Sequence, residues 1–402
     1  MRSSALAKNF MEVKPEIETF AQIKVIGVGG SGGAALTRMI EAGLKGVDFI
    51  AVNTDAQALH HNPAKTKIHI GKTTTRGLGA GMDPEVGYKA AEENQDEISD
   101  ALKGTDMVFI TCGLGGGTGS GAAPFVAKMA RDAGALTVAV VTKPFVFEGA
   151  QRSNIAEQAY NELVENVDTI ITIPNDRLLQ IIDKKTSVLE AFGVVDEVLR
   201  QGVQGISDLI TVPGLINVDF ADVKSVMKDA GSALMGIGKA SGENRAIDAA
   251  KAAIDSPLLE MSINGARGIL FTVAGGANLS MFELNEAARI ITENADSNAR
   301  IIFGSVVDES LGDDVQVTVV ATGFGSSSKS KKREATNPFR DLDALRSGQA
   351  EKNDDTTPVI GGVSTSSAPA APAAKSIMDE EAVDNSDDDD LDIPAFIRKR
   401  MM

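Results

Sequence analysis

Short continuous apolar runs, each closed by a glycine cluster and followed by helical periodicity, recur through the first half of the chain. Ile23 to Ile26 runs into GVGGSGG, a helical pattern follows from Ala34 to Ala42, and Phe49 to Val52 predicts the next strand. The theme repeats with MVFIT at 107–111, a glycine-rich loop, a helix over 122–133 and LTVAVVT at 136–142. Runs that are apolar at every position predict a parallel sheet covered on both faces, and their alternation with helices predicts βαβ units. Helical residues from about 150 to 166 precede TIITI at 169–173. A long helix is then predicted from near Ser187 to about Gln204, with Val188, Phe192, Val195, Leu199 and Val203 near helical spacing.

Beyond a further helix start at Asn217 to Val223 the pattern changes. ILFTVAG (269–275), ARIIFGSVV (299–307) and VQVTVVAT (315–322) read as strands around helices at about 243–255 and 282–293. Polar and apolar residues alternate over Val315 to Val319, which predicts a smaller α+β sheet with one face in water. Residues 1–20 are polar and aperiodic and read as a loose arm. After Gly325 the composition turns to Ser, Ala, Pro and acids through Asp390, too few apolar residues to offset ordering entropy, so 326–390 reads as a disordered tether. LDIPAFIRKR at its end brings back Leu391, Ile393, Phe396 and Ile397 ahead of three cations.

Composition narrows the function classes. The chain has 402 residues and a net charge of −17, which argues against neutralising nucleic-acid phosphates or anionic lipid over a broad face. Aromatics are 4% with no Trp, so the core is aliphatic. One cysteine, Cys112, excludes an intrachain disulfide and a multi-cysteine metal site and fits a reducing compartment. Neither a leader-like start nor an apolar run near 18 residues is present, so the reading is cytoplasmic and without a membrane span.

Two loops carry candidate chemistry. Gly27-Val28-Gly29-Gly30-Ser31-Gly32 fits G-x-G-x-x-G between a strand and a helix, where bare N–H groups and the helix N-terminus receive phosphate. With Asp48 or Asp55 near ribose-binding spacing, it fits a dinucleotide fingerprint, and a tight packing turn is the plainer reading. The loop Gly113 to Gly121 has six glycines in nine positions, more than a turn needs, and Thr118 and Ser120 can add hydroxyl donors. It lacks the Gly-Lys-Ser/Thr of a Walker loop. Two such loops on successive units favour a triphosphate gripped from several sides over the single pyrophosphate of NAD.

The remaining candidates each have a structural alternative. Glu148 and Arg152 suit ribose hydroxyls and phosphate, or a solvated helix start. Asn175 sits in a Pro-Asn-Asp turn, and Phe192 is core unless it stacks on a base. Asp219 and Asp222, behind Asn217, are an N-cap and a first-turn acid, or a pair that polarises water for attack on a γ-phosphate. His60, His61 and His69 lack further ligands at metal spacing and read as loop residues. Cys112 reads as a small residue at a strand end rather than a nucleophile.

With GLGGGTGSG, FEGAQR, ITIPND, NVDFADV and LDIPAFIRKR in this order, the chain resembles the FtsZ family of bacterial tubulin-like cell-division GTPases over about residues 20–325 and the last dozen. The resemblance implies an α/β fold: a parallel-sheet GTP-binding domain (21–186), a central helix and connection (187–216), an α+β C-terminal domain with an acidic catalytic loop (217–325), and the tail. It implies GTP, GDP and Mg²⁺ as ligands, with Gly29, Gly30, Ser31, Gly116, Gly117, Thr118 and Gly119 at the phosphates. Glu148 would lie at ribose, Arg152 near phosphate, and Asn175, Phe192, Asp196 and Glu197 near guanine. Asp219 and Asp222, with Asn217 supporting the loop, would orient water on the neighbouring subunit's GTP in a head-to-tail homopolymer at mid-cell. Leu391 to Arg400 would dock membrane-tethering and regulatory division proteins.

The sequence departs from the family's pattern at Ala34, where Asn is usual, at Asp196-Glu197 for Asn-Asp, at Ser120 for Thr and at Asp83 for Asn. Two other readings stay open: an NAD-dependent oxidoreductase, and a nucleotide-binding scaffold that polymerises without hydrolysis.

Overall fold

The computed structural model describes residues 21–324 apart from 181, 183, 184, 213, 260 and 261. The arm at 1–20, the tether at 326–390 and the terminal peptide lie outside the described residues. Ten strands form one sheet: β1 (Ile23–Val28), β2 (Val47–Asn53), β3 (Thr66–His69), β4 (Met107–Gly113), β5 (Leu136–Lys143), β6 (Thr169–Pro174), β7 (Gly231–Ala240), β8 (Gly268–Gly275), β9 (Arg300–Val307) and β10 (Val315–Thr322). Their order is β3-β2-β1-β4-β5-β6-β7-β10-β8-β9. The first six are parallel in the doubly wound order, which brings the loops after β1 and β4 together at the carboxyl ends of neighbouring strands.

The fully apolar runs are buried as expected. One face is covered by the helices Gly29–Glu41 and Val188–Thr211, which pack Leu36, Met39, Val195, Leu199 and Val203 on Phe109, Val138 and Val140. The other is covered by Gly117–Asp132 and Ala150–Asn166 through Ala123, Val126, Ala159 and Leu163. The long helix starts where the sequence places it, because Ser187 Oγ accepts from Glu190 N at 3.2 Å while the Glu190 carboxylate takes Ser187 N at 2.8 Å. It runs on to Thr211, past the predicted end, because Ile206 and Leu209 continue its buried stripe.

The smaller sheet is not separate. β7 joins β6 in parallel through Thr169, Ile170 and Ile171, and β10 is antiparallel to β7 and β8. Nor is a face of β10 in water: Thr318 is 5% exposed. Gly205 of the long helix has no side chain, and a Cβ there would lie 2.9 Å from Thr318 Cγ2. The helix therefore lies against the polar side of the sheet, and Thr272 Oγ1 donates to Gly205 O at 2.9 Å. The other side packs under Arg245–Ile254 and Met281–Glu293.

Candidate functional site

The first glycine loop folds as the first turn of a helix, and the second forms a turn at 114–116 that runs into one. Gly29 and Gly117 are the first residues of their helices, with Gly29 at φ 77° and Gly115 at φ 98°, backbone that other residues adopt at a cost. Freed N–H groups and two helix N-termini thus face one space. That space is a cavity of about 540 Å³, within the range of roughly 300 to 1,000 Å³ usual for small-ligand sites. Its wall includes Gly29, Gly30 and Ser31 from the first loop and Gly116, Gly117, Thr118 and Gly119 from the second. Glu148, Arg152, Asn175, Phe192 and Asp196 line it as well, as does Ala34.

Within the wall, Arg152 Nη1 donates to Glu148 Oε2 at 2.6 Å, and Phe145 N donates to the other carboxylate oxygen at 2.9 Å. Asn175 is 4% exposed and its Oδ1 has no protein partner, an orphaned acceptor at the edge of the cavity. Phe192 is 40% exposed and meets Phe145 edge to face at 5.5 Å, which leaves a ring surface to the cavity. Burial lifts the Asp196 carboxyl to about 6, against the pull of the Arg38 charge.

Several residues stand elsewhere than the sequence reading places them. Glu197 does not line the cavity: its carboxylate takes Arg200 Nε at 2.8 Å and Gln201 Nε2 at 2.8 Å. Burial opposes its charge, yet the Arg200 contacts hold it below the usual range. Asp196 takes the place because it lies one helical turn, four residues, after Phe192 and so shares its face. Ser120 is fully buried and its oxygen accepts from Gly115 N at 2.9 Å, so it braces the loop instead of lining the wall. Asp48 is exposed at the start of β2, away from the glycine loops, and Asp55 caps the helix Ala56–His61 through Gln57 N and Ala58 N. Neither lines the cavity. His60 and His61 belong to that helix and His69 to β3, not to loops. Among the described residues no cluster of three or more His, Cys, Asp or Glu could hold a metal ion. Cys112 lies buried in β4, its thiol pushed up by burial to about 12, an inert residue as expected.

The wall also holds Ala80, Gly81 and Met82, which the sequence reading passed over. Their signal was GLGAG at 77–81, where Gly77, Gly79, Gly81 and Met82 all have positive φ.

The acidic loop is not part of this wall. Asn217, Asp219 and Asp222 are exposed. Asn217 Oδ1 accepts from Gly214 N at 2.6 Å, and Asp219 Oδ1 from Asp222 N at 2.7 Å, so within one chain Asp219 is the N-cap of Phe220–Met227.

A doubly wound sheet with a triphosphate-sized cavity at two glycine loops, joined through a long helix to a second strand set, is the architecture of the tubulin-like GTPases. Residues 22–183 match the Tubulin/FtsZ family GTPase domain, and residues 231–325 match the FtsZ family C-terminal domain. Among solved structures, an empty FtsZ dimer from M. jannaschii is 48% identical, with a TM-score of 0.74, over 76% of this chain and 89% of that one. CetZ2 from Haloferax volcanii, a GTPγS-bound protofilament, is 23% identical with a TM-score of 0.64 over 75% and 92%. CetZ1 from the same organism, a GDP-bound monomer, is 22% identical with a TM-score of 0.66 over 76% and 95%. The chain belongs to the FtsZ family and is a GTP-binding, tubulin-like cytoskeletal GTPase. The oxidoreductase reading is thereby set aside.

Proposed function

We propose that this GTPase serves cell division, polymerises head to tail, and completes its hydrolytic site only where two subunits meet. The observation that carries this reading is the separation of the two halves of the machinery within one chain. Phe192 and Asp196 stand at the cavity near the start of the helix Val188–Thr211, and Asn217, Asp219 and Asp222 follow its far end. From Phe192 to Thr211 the helix spans roughly 28 Å at about 1.5 Å per residue. A group that orients water must be within hydrogen-bond reach of it, so these acids act on another copy's nucleotide. The dimer and the protofilament seen for similar proteins support the assembly part of this reading.

In the proposed site, N–H groups of Gly29, Gly30, Ser31 and Gly116 to Gly119 hold the phosphates, where two helix dipoles favour the anion. Arg152 adds charge and Glu148 meets ribose hydroxyls. Phe192 stacks on guanine, Asp196 accepts its N–H groups, and the unpaired Asn175 oxygen takes a further donor. Mg²⁺ fits as an ion carried by the phosphates and water, since the wall offers only two separated carboxylates, Glu148 and Asp196. The bound ion would screen phosphate charge.

The division role, with a cytoplasmic place at mid-cell, rests on the far higher identity to FtsZ than to the CetZ proteins. It rests also on the terminal LDIPAFIRKR, proposed to dock membrane-tethering and regulatory proteins. No helix among the described residues is long and apolar enough to cross a membrane.

The test is Asp222→Ala. GTP binding and sedimentable polymer should persist while phosphate release falls by on the order of a hundredfold or more. Loss of GTP binding by the dilute variant would contradict the assigned role.

A further inference from the structure

Thr54 is completely buried in the turn between β2 and the helix Ala56–His61, and its hydroxyl lies 2.6 Å from that of Thr118. Thr118 is in the cavity wall, whereas Thr54 is not. We propose that Thr54 is a positioning residue for the nucleotide phosphates that acts through Thr118, an inference that rests on the GTP reading above.

The two hydroxyls share one short contact, and each has a single proton to give. With an anion in the cavity, one arrangement uses both protons: Thr118 donates to a phosphate oxygen and Thr54 donates to Thr118 Oγ1. Such a chain is polarised in one direction, and each bond in it strengthens the next. Buried, with its oxygen 2.6 Å from Thr118, Thr54 is well placed to fix the Thr118 rotamer and aim its proton at the ligand.

Thr54 is itself held rigidly. Its carbonyl shares the Thr75 hydroxyl proton, at 3.3 Å, with Gly71 O at 3.0 Å. On either side, Ile70 N donates to Asn53 O at 3.1 Å and Ala56 N to Gly77 O at 3.2 Å. The segment behind these contacts is clamped in turn, since the Glu93 carboxylate takes Thr73 N at 2.8 Å and Thr74 N at 3.2 Å. A hydroxyl carried on so fixed a backbone adds direction at little entropic cost.

The test compares Kd for GDP and for guanosine, which lacks phosphate, on dilute protein carrying Thr54→Val, Thr54→Ala, Thr54→Ser, Thr118→Val or Thr54→Val with Thr118→Val. Both hydroxyl-free variants at 54 should bind GDP about fivefold to tenfold more weakly, the effect of roughly one hydrogen bond, and guanosine as the parent does. Thr54→Ser should restore GDP affinity to within about twofold, and the double variant should bind GDP no more weakly than Thr118→Val alone. Unchanged GDP affinity in Thr54→Val and Thr54→Ala, an equal loss of guanosine and GDP, or additive losses in the double variant would overturn the proposal. A parent protein that binds neither ligand would overturn the GTP reading itself, a result distinct from a parent that binds both and is indifferent to position 54.

Discussion

Asp196 shows how burial in the cavity wall alters a surface-type side chain that the proposed function assigns to guanine. Its folded pKa near 6 stands above the unfolded value near 4, so between these values the folded chain holds more protons than the unfolded one. On this group's account stability falls as pH rises from about 4 to about 6 and changes little above that. Asp208, also lifted to about 6 by burial, adds to the trend. Nucleotide affinity should run the opposite way, because guanine N–H groups need the ionised acceptor. GDP titrations on either side of about pH 6 should show weaker binding on the acid side, and Asp196→Asn should flatten that dependence.

The two acids of the loop differ in the same local way. Asp219→Ala removes an N-cap and should cost about 1 kcal/mol of stability besides any loss of hydrolysis that the proposed function predicts. Among the described residues no hydrogen bond to the Asp222 carboxylate is seen, and as a first-turn acid it adds only the smaller helix-dipole contribution, so Asp222→Ala should lower Tm less than Asp219→Ala. Thermal unfolding of the two variants side by side checks the difference. The residue types of this site were legible in the sequence as ordered motifs. Which of Asp196 and Glu197 faces the cavity is also legible, from the four-residue step after Phe192, whereas the resemblance alone implies both.

At the scale of elements, glycine decides both what the sequence revealed and what it hid. The strand β7, GSALMGIGKA, gave no strand signal because glycine is usually depleted there. It is needed because the helix Arg245–Ile254 lies directly on the strand: a Cβ at Gly236 or Gly238 would stand 2.0 Å from a carbonyl oxygen of Ala253 or Ala249. The helix Pro84–Glu93 packs as closely on Gly117–Asp132, where a Cβ at Gly121 would fall 1.9 Å from Pro84 O. Such contacts join backbones that no periodicity links. Gly121→Ala should therefore destabilise the fold by at least about 1 to 3 kcal/mol, seen as a lower Tm. Gly30→Ala, whose Cβ would meet nothing within 4 Å, should melt like the parent yet bind GDP more weakly, because it narrows the cavity.

Across the whole molecule, the parallel half of the sheet and its covered faces followed from runs of unbroken apolar residues. The joining of both strand sets into one sheet did not, since it depends on three residue pairs between Thr169–Ile171 and Gly231–Ala233. The long helix runs from the cavity toward the acidic loop, and in the proposed function it keeps the nucleotide and the acids of one chain apart. Turnover of GTP per subunit, measured against total protein concentration, tests that separation most directly. The account predicts almost no phosphate release from dilute, GTP-saturated monomer and a rise in specific activity above a threshold where polymer forms. A constant specific activity down to concentrations at which light scattering and sedimentation detect only monomer would contradict it.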